Sequence, residues 1–116
     1  MKKKKKKNLK KKLLIFNIYH NYIMTKVGKY NYEKSPLKNK KLRVVVNRKV
    51  IDFGDSTAQH YFDKSGLLDK KLNHGDKKRQ ASYLARSAGI KNKKGELTKD
   101  DPLSPNYHSR RILWGA

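Results

Sequence analysis

The clearest pattern of apolar and polar positions lies at residues 42–54, LRVVVNRKVIDFG. Leu42, Val44 and Val46 alternate with Arg43 and Val45, and a second β-rich run follows from Val50 to Phe53. A period of two with β-branched residues predicts two strands, and the Asn47-Arg48-Lys49 interruption between them predicts a β-hairpin. Asn47 suits the turn because it tolerates positive φ. Gly54 is expected to end the second strand where the chain bends away.

A helical period emerges only later. Asp55 or Ser56 can cap a short helix running to about Asp63, with Tyr61 and Phe62 available to pack and Ser65-Gly66 closing it. The link LLDKKLNHG at 67–75 carries Leu67, Leu68 and Leu72 among charges, so it is expected to lie over the core. Asp76 caps a clearer helix over 77–88, with Gly89 placed to stop it. Ala81, Leu84, Ala85 and Ala88 fall at i, i+3, i+4 and i+7, a narrow face able to sit close against a sheet. The opposite face then carries Arg79, Tyr83 and Arg86. Residues 91–103 read as a polar loop. Ser104-Pro105 is a cap followed by a proline at the first helical position, starting a last short helix to about Trp114, with 111–114 extended as the alternative.

Upstream of the hairpin, residues 24–41 (MTKVGKYNYEKSPLKNKK) show no sustained period and are punctuated by Gly28, Ser35 and Pro36. They read as a basic arm or loop that Tyr30 and Tyr32 can tack onto a core. No internal repeat is present. The fold class that follows is a small single α+β domain over 42–116, a β-hairpin packed against two or three short helices.

Composition sharpens this picture. The chain has 116 residues, 31 Lys and Arg against 9 Asp and Glu, and a formal charge of +22. That length gives one domain with a modest core, and that charge attracts phosphates over a distance. A surface that merely keeps the protein soluble is the simpler reading of the same charge. With no cysteine, disulfides and thiolate metal sites are excluded and nothing supports a secreted scaffold.

The first 23 residues differ in kind. After Met1 they use only Lys, Asn, Leu, Ile, Phe, Tyr and His, and all of these but His can be encoded with A and T alone. The segment therefore reads as AT-rich upstream sequence translated from too early a start, with Met24 as the native first residue. That chain would lose 9 basic residues, keep all 9 acidic ones and carry +13. Two rivals stand beside it. A lysine tail can bind nucleic acid or an anionic surface. A signal peptide is disfavoured because Asn17, His20 and Asn21 interrupt the apolar run and no small-residue cleavage site follows. The run is also too short to span a bilayer, so no membrane partner is expected.

The candidate chemistry is basic and aromatic. Arg79, Tyr83 and Arg86, with Lys77 and Lys78, would line one helix side, holding phosphates while the ring stacks on a base. An ordinary polar helix face explains the same spacing. Arg110 and Arg111, beside Tyr107 and Trp114, form a second cluster, in which Trp114 reads more as a core anchor than as a stacking platform. Phe53-Gly54-Asp55 is explained by a glycine leaving a strand and an aspartate capping a helix, and Asp100-Asp101-Pro102 by a turn. No phosphate-binding glycine loop is present, so nothing points to a nucleotide enzyme, and no cofactor is implied. A metal-dependent nuclease would have to assemble His60, His74 and His108 with Asp55, Asp69 or Asp76, at spacings that match no zinc motif. No catalytic or metal-binding residue is assigned.

The segments VVVNRKVIDFGDS at 44–56, His60-Tyr61, Asp76 with Lys78-Arg79, Tyr83-Leu84-Ala85-Arg86 and SRRILW at 109–114 together resemble a family of small basic proteins of large DNA viruses and some phages. The chain differs from the shorter pattern by an insertion at about 65–73. That family has no established activity, so the resemblance implies a viral setting, in the virion or the infected-cell cytoplasm and virus factory, and supplies no mechanism. The expected function is nucleic-acid binding through phosphate contacts with little sequence specificity. A structural virion component docking on acidic capsid protein is the alternative, and the nuclease comes third. If Met24 is the start, mass spectrometry of the native protein should yield an N-terminal peptide beginning at Met24 or Thr25. A peptide covering residues 8–23 would contradict that start.

Overall fold

The alternation at 42–53 forms the centre of the fold. In the computed structural model, which describes residues 23–116, strands β3 (Lys40–Val46) and β4 (Lys49–Asp55) pair antiparallel, with Val46 opposite Lys49, Val44 opposite Ile51 and Leu42 opposite Phe53. Both residues of the two-residue turn have positive φ, Asn47 at 50° and Arg48 at 67°. This is the geometry whose twist matches that of the flanking strands. Leu42, Val44, Val46, Ile51 and Phe53 are all buried on one face. On the other face Arg43 makes a two-point ion pair with Asp52, Nε to Oδ1 at 2.8 Å and Nη2 to Oδ2 at 3.1 Å. Such a cross-strand pair adds register specificity and about 0.2–1 kcal/mol.

The expected basic arm is a second hairpin instead. Strands β1 (Thr25–Val27) and β2 (Tyr30–Lys34) turn at Gly28, whose φ of 65° suits a residue without a Cβ, and β2 pairs with β3 so that Tyr32 faces Val44. The sheet order is β1-β2-β3-β4. The alternation that builds β2, Tyr30-Asn31-Tyr32-Glu33, is too short to stand out among lysines, yet Tyr32 is among the most deeply buried side chains. The expectation for residues 1–23 falls, apart from Ile23, outside the described residues.

The helix expected from Asp55 or Ser56 to about Asp63 does not form. Asp55 instead closes a tight turn, its Oδ1 accepting from Thr57 N–H at 2.9 Å and Thr57 Oγ1 at 2.7 Å. The next stretch runs extended because its backbone groups find partners on both sides. His60 N–H donates to Leu72 O and His74 N–H to His60 O, while Phe62 and Lys64 N–H donate to Leu113 and Ile112 O. Asp63, buried, fixes the following bend by accepting from Ser65 and Leu68 N–H. Leu67 and Leu68 pack against the core, as expected of this link.

Helix α1 (Lys77–Ser87) is capped as anticipated, Asp76 Oδ1 accepting from Lys78 and Arg79 N–H. Its buried side is rotated from the alanine stripe. Ala81 and Ala85 are exposed, whereas Gln80, Tyr83, Leu84, Ser87 and Ala88 face inward. An aromatic ring and hydrogen-bonding groups outweighed methyl groups because the surface opposite offers Trp114 and Arg110.

Residues 91–103 form a turn about Gly95 and a 3-10 turn at Thr98–Asp100. Ser104 then caps α2 (Pro105–His108), which continues as a π-helical turn over Ser109–Leu113 and ends there, one residue short of Trp114. This turn places Ile112 and Leu113 in the core with the sheet residues. The result is a small α+β domain, a four-stranded antiparallel sheet with two short helices. Among the described residues, no helix is long and apolar enough to cross a membrane.

Candidate nucleic-acid interface

Because α1 docks through Tyr83 and Leu84, its outer surface is left to cations. Lys77, Lys78, Arg79 and Arg86 are exposed, and Arg79 is held toward the β4 turn by donating to Gln59 Oε1 at 3.1 Å. Lys78, Arg79 and Arg86 line a groove of about 540 Å³ whose wall includes Tyr83 and Trp114 and whose only carboxylate is Asp76. A neighbouring cavity of about 550 Å³ shares Ala58, Gln59, Tyr83 and Trp114 with it and extends to Lys40, Lys41 and Gly54, with Asp55 as its only carboxylate. The two cavities adjoin through these four shared residues, between α1 and the end of the β3–β4 hairpin.

Tyr83 sits differently from the sequence expectation. It does not share an open face with Arg79 and Arg86 but stacks on Trp114, with centroids 4.1 Å apart and planes at 6°, and its hydroxyl lies 3.0 Å from Ser109 Oγ. The other neighbour of Trp114 is His74, at 5.2 Å. Trp114 is therefore an anchor, and Tyr83 is a wall of the groove rather than a free stacking platform.

The expected cluster of Arg110 and Arg111 with Tyr107 and Trp114 forms only in part, as Arg111 on Tyr107. Arg110 donates to Leu84 O at 2.7 Å and Ser87 Oγ at 2.6 Å, capping the C-terminal end of α1 where the helix dipole favours a cation. Arg111 points elsewhere, stacked 3.8 Å over Tyr107 and donating to Lys99 O at 3.2 Å. It lines a separate cavity of about 300 Å³ with Lys29, Lys64 and Tyr30. Neither extends the Arg79 and Arg86 surface. Adjacency in sequence misled because a helical step turns consecutive side chains by roughly 100°.

The three histidines of the nuclease reading each have separate side-chain partners, although His60 and His74 are backbone neighbours. Among the described residues, no group of three or more His, Asp or Glu is placed to hold a metal. His108 is fully buried, its Nδ1 2.7 Å from Tyr32 Oη and its Nε2 2.7 Å from Pro102 O. With the proton on Nε2, the ring donates to Pro102 O and can accept from the Tyr32 hydroxyl at Nδ1. His60, also fully buried, makes the analogous pair, Nε2 to Asn73 Oδ1 at 2.7 Å and Nδ1 to Lys41 Nζ at 2.9 Å. His74 accepts from Asp76 N–H through Nδ1, beside the start of α1.

Sequence reasoning missed Lys41. It read as the end of a lysine-rich arm, yet it is 6% exposed. No sequence signal separates it from the other lysines, since its burial depends on a break in the strand alternation. Lys41 and Leu42 are buried in succession, opposite Gly54 at φ 85°, and a Cβ at Gly54 would lie 3.0 Å from both Lys41 Cβ and Leu113 Cδ1. Burial lowers the Lys41 amine from its ordinary 10.5, against the opposing pull of Asp55 and Asp63. Burial likewise pushes His60 below 6.5, with the Lys41 charge acting in the same direction, and burial does the same to His108.

Comparison with family models, with curated protein sequences and with solved structures finds no match to this chain.

The buried imidazoles set a pH dependence. Their folded-state pKa values lie below 6.5, so the folded protein excludes protons that the unfolded chain takes up. This contribution is fully present above 6.5 and is lost as pH falls through the window beneath it. The denaturant midpoint should therefore drop between about pH 7 and about pH 5, above the range where Asp52 and Asp55 protonate. NMR titration should place the His60 and His108 transitions below 6.5, and transitions at or above 6.5 would contradict the assignment.

Proposed function

We propose that this protein binds nucleic acid by cradling the phosphate backbone in the groove between α1 and the β3–β4 hairpin, with little sequence specificity. One observation carries the reading: Lys78, Arg79 and Arg86 line one cavity and Lys40 an adjoining one, and the two linings together hold only Asp55 and Asp76 as counter-charges. Guanidinium groups suit this task because their fork of donors matches phosphate oxygens. Phosphate contacts of this kind position a strand without reading its bases. The setting we propose is viral, in the particle or the infected cell, on the strength of the sequence resemblance.

Arg110 has a supporting role in this reading. Arg110 fixes the helix that displays Arg79 and Arg86, and Tyr83 with Trp114 walls the groove. Arg110→Ala would therefore act by loosening α1, whereas Arg79→Ala acts by removing a cation from the groove itself.

Binding of the full chain to labelled oligonucleotides across a salt series tests the proposal. Affinity should fall steeply with salt, and Arg79→Ala with Arg86→Ala should reduce the log–log slope by about 2, one unit for each phosphate no longer neutralised. Arg48→Ala with Lys49→Ala, exposed at the hairpin tip, should leave the affinity much nearer that of the parent. Affinity unchanged between low and physiological salt would overturn the reading and favour docking on an acidic protein.

A further inference from the structure

We propose that the cavity between the C-terminal π turn and the β1–β2 hairpin is a binding site for a small aromatic phosphate monoester of mononucleotide size. It shares no lining residue with the groove beside α1, and it does not rest on the nucleic-acid reading. The cavity has a volume of about 300 Å³, and its lining takes in Lys29, Lys64 and Arg111 but no acidic side chain. Ala116 also lines it and adds at most its terminal carboxylate, so the lining carries a surplus of at least two positive charges.

Two of these cations have their charged ends on the rings that wall the cavity. The Arg111 guanidinium carbon lies 3.8 Å from the centroid of Tyr107, and Lys29 Nζ lies 5.6 Å from that of Tyr30. The two rings meet edge to face with centroids 6.3 Å apart. Burial shifts the Tyr32 hydroxyl upward and the His108 ring downward, and the Arg111 charge reaches both groups, lowering each. Tyr32 is itself part of the cavity lining, so the guanidinium is turned toward the floor.

A structural task accounts for only part of Arg111. It uses the ring face and one donor, Nη1 to Lys99 O at 3.2 Å. Among the described residues Nε–H and Nη2 meet no acceptor, and no carboxylate pairs with the side chain. That edge of a guanidinium is the fork that grips two phosphate oxygens at once.

Charge and lining together set the ligand class. A phosphate monoester carries about −1.5 to −2 at neutral pH, which matches the surplus. A carboxylate, or the phosphodiester of a nucleic-acid strand, carries a single charge and does not. The buried Tyr32 and Ile112 form an apolar floor and the rings of Tyr30 and Tyr107 the walls, a setting in which a flat apolar body gains from burial and ring contact. The volume is at the small end of ligand pockets and suits one such body with its phosphate.

The test titrates adenosine monophosphate, adenosine and inorganic phosphate separately into the labelled full chain and follows amide NMR shifts. The nucleotide should shift Tyr30, Lys64 and Arg111 saturably, and bind at least about tenfold more tightly than adenosine or phosphate, because it alone engages both the cations and the rings. Arg111→Lys keeps the charge but loses the fork, and should weaken the nucleotide by about tenfold or more. Lys29→Ala with Lys64→Ala, both exposed, should weaken it comparably without touching the core. Phosphate binding as tightly as the nucleotide, shifts confined to the Arg79 and Arg86 side, an unchanged affinity in the double lysine variant, or no saturable shift with millimolar nucleotide would each overturn the site. The groove reading stands or falls separately, on its own oligonucleotide titration.

Discussion

The sheet of this protein has one apolar face and very little to close it with. Among the described residues, six of the eight buried hydrophobic ones come from β2, β3 and β4, and the remaining two, Ile112 and Leu113, come from the C-terminal π turn. Burying each of these side chains contributes about 1.5–3 kcal/mol, a large share for a domain whose net stability is on the order of 5–15 kcal/mol. The C-terminal segment is therefore the lid of the core. It is held by backbone bonds from Phe62 and Lys64 to the carbonyls of Leu113 and Ile112, and by the cap at Ser104 that starts its helix.

The groove follows from that closure. With Leu113 seated, Trp114 is presented to α1, and the helix docks by stacking Tyr83 on it, donating from Gln80 to Trp114 O and receiving Arg110 at its C-terminal end. Docking by that side turns Arg79 and Arg86 outward beside the β4 turn. Leu113 also packs over Gly54, where an added Cβ would collide, and the same glycine accommodates the Lys41 stem. Thus the residues that close the core also set the walls of the groove and bury Lys41 beside it. Polar groups taken along are each matched, as with His60 between Lys41 and Asn73 and His108 between Tyr32 and Pro102. The exception among the described residues is His74 Nε2, which is buried without a partner.

What was legible in the sequence was local. The β3–β4 hairpin, the Asp76 and Ser104 caps and the extent of α1 each depend on a few neighbouring residues, and each is present. The β1–β2 hairpin was hidden because its strands are short and lysine-rich, so that pairing with β3 supplies what local propensity lacks. The expected helix after Gly54 lost to backbone partners from residues far along the chain. The candidate site was half legible. Lys77, Lys78, Arg79 and Arg86 are exposed as expected, but which side of α1 packs was decided by Trp114, and Arg110 was recruited to a structural task. Lys41 could not be found from sequence, since its burial is a property of Gly54, Leu113 and His60 together.

The most direct test of the account is a map of the surface that meets nucleic acid. Amide and side-chain NMR shifts should be followed while a short oligonucleotide is titrated into the labelled full chain. The account predicts the largest changes at Gln59, Lys78, Arg79, Arg86 and Trp114, with little change at the Asn47-Arg48 turn or around Arg111. Changes concentrated on the hairpin tip or on the Arg111 side, with the α1 groove silent, would contradict it.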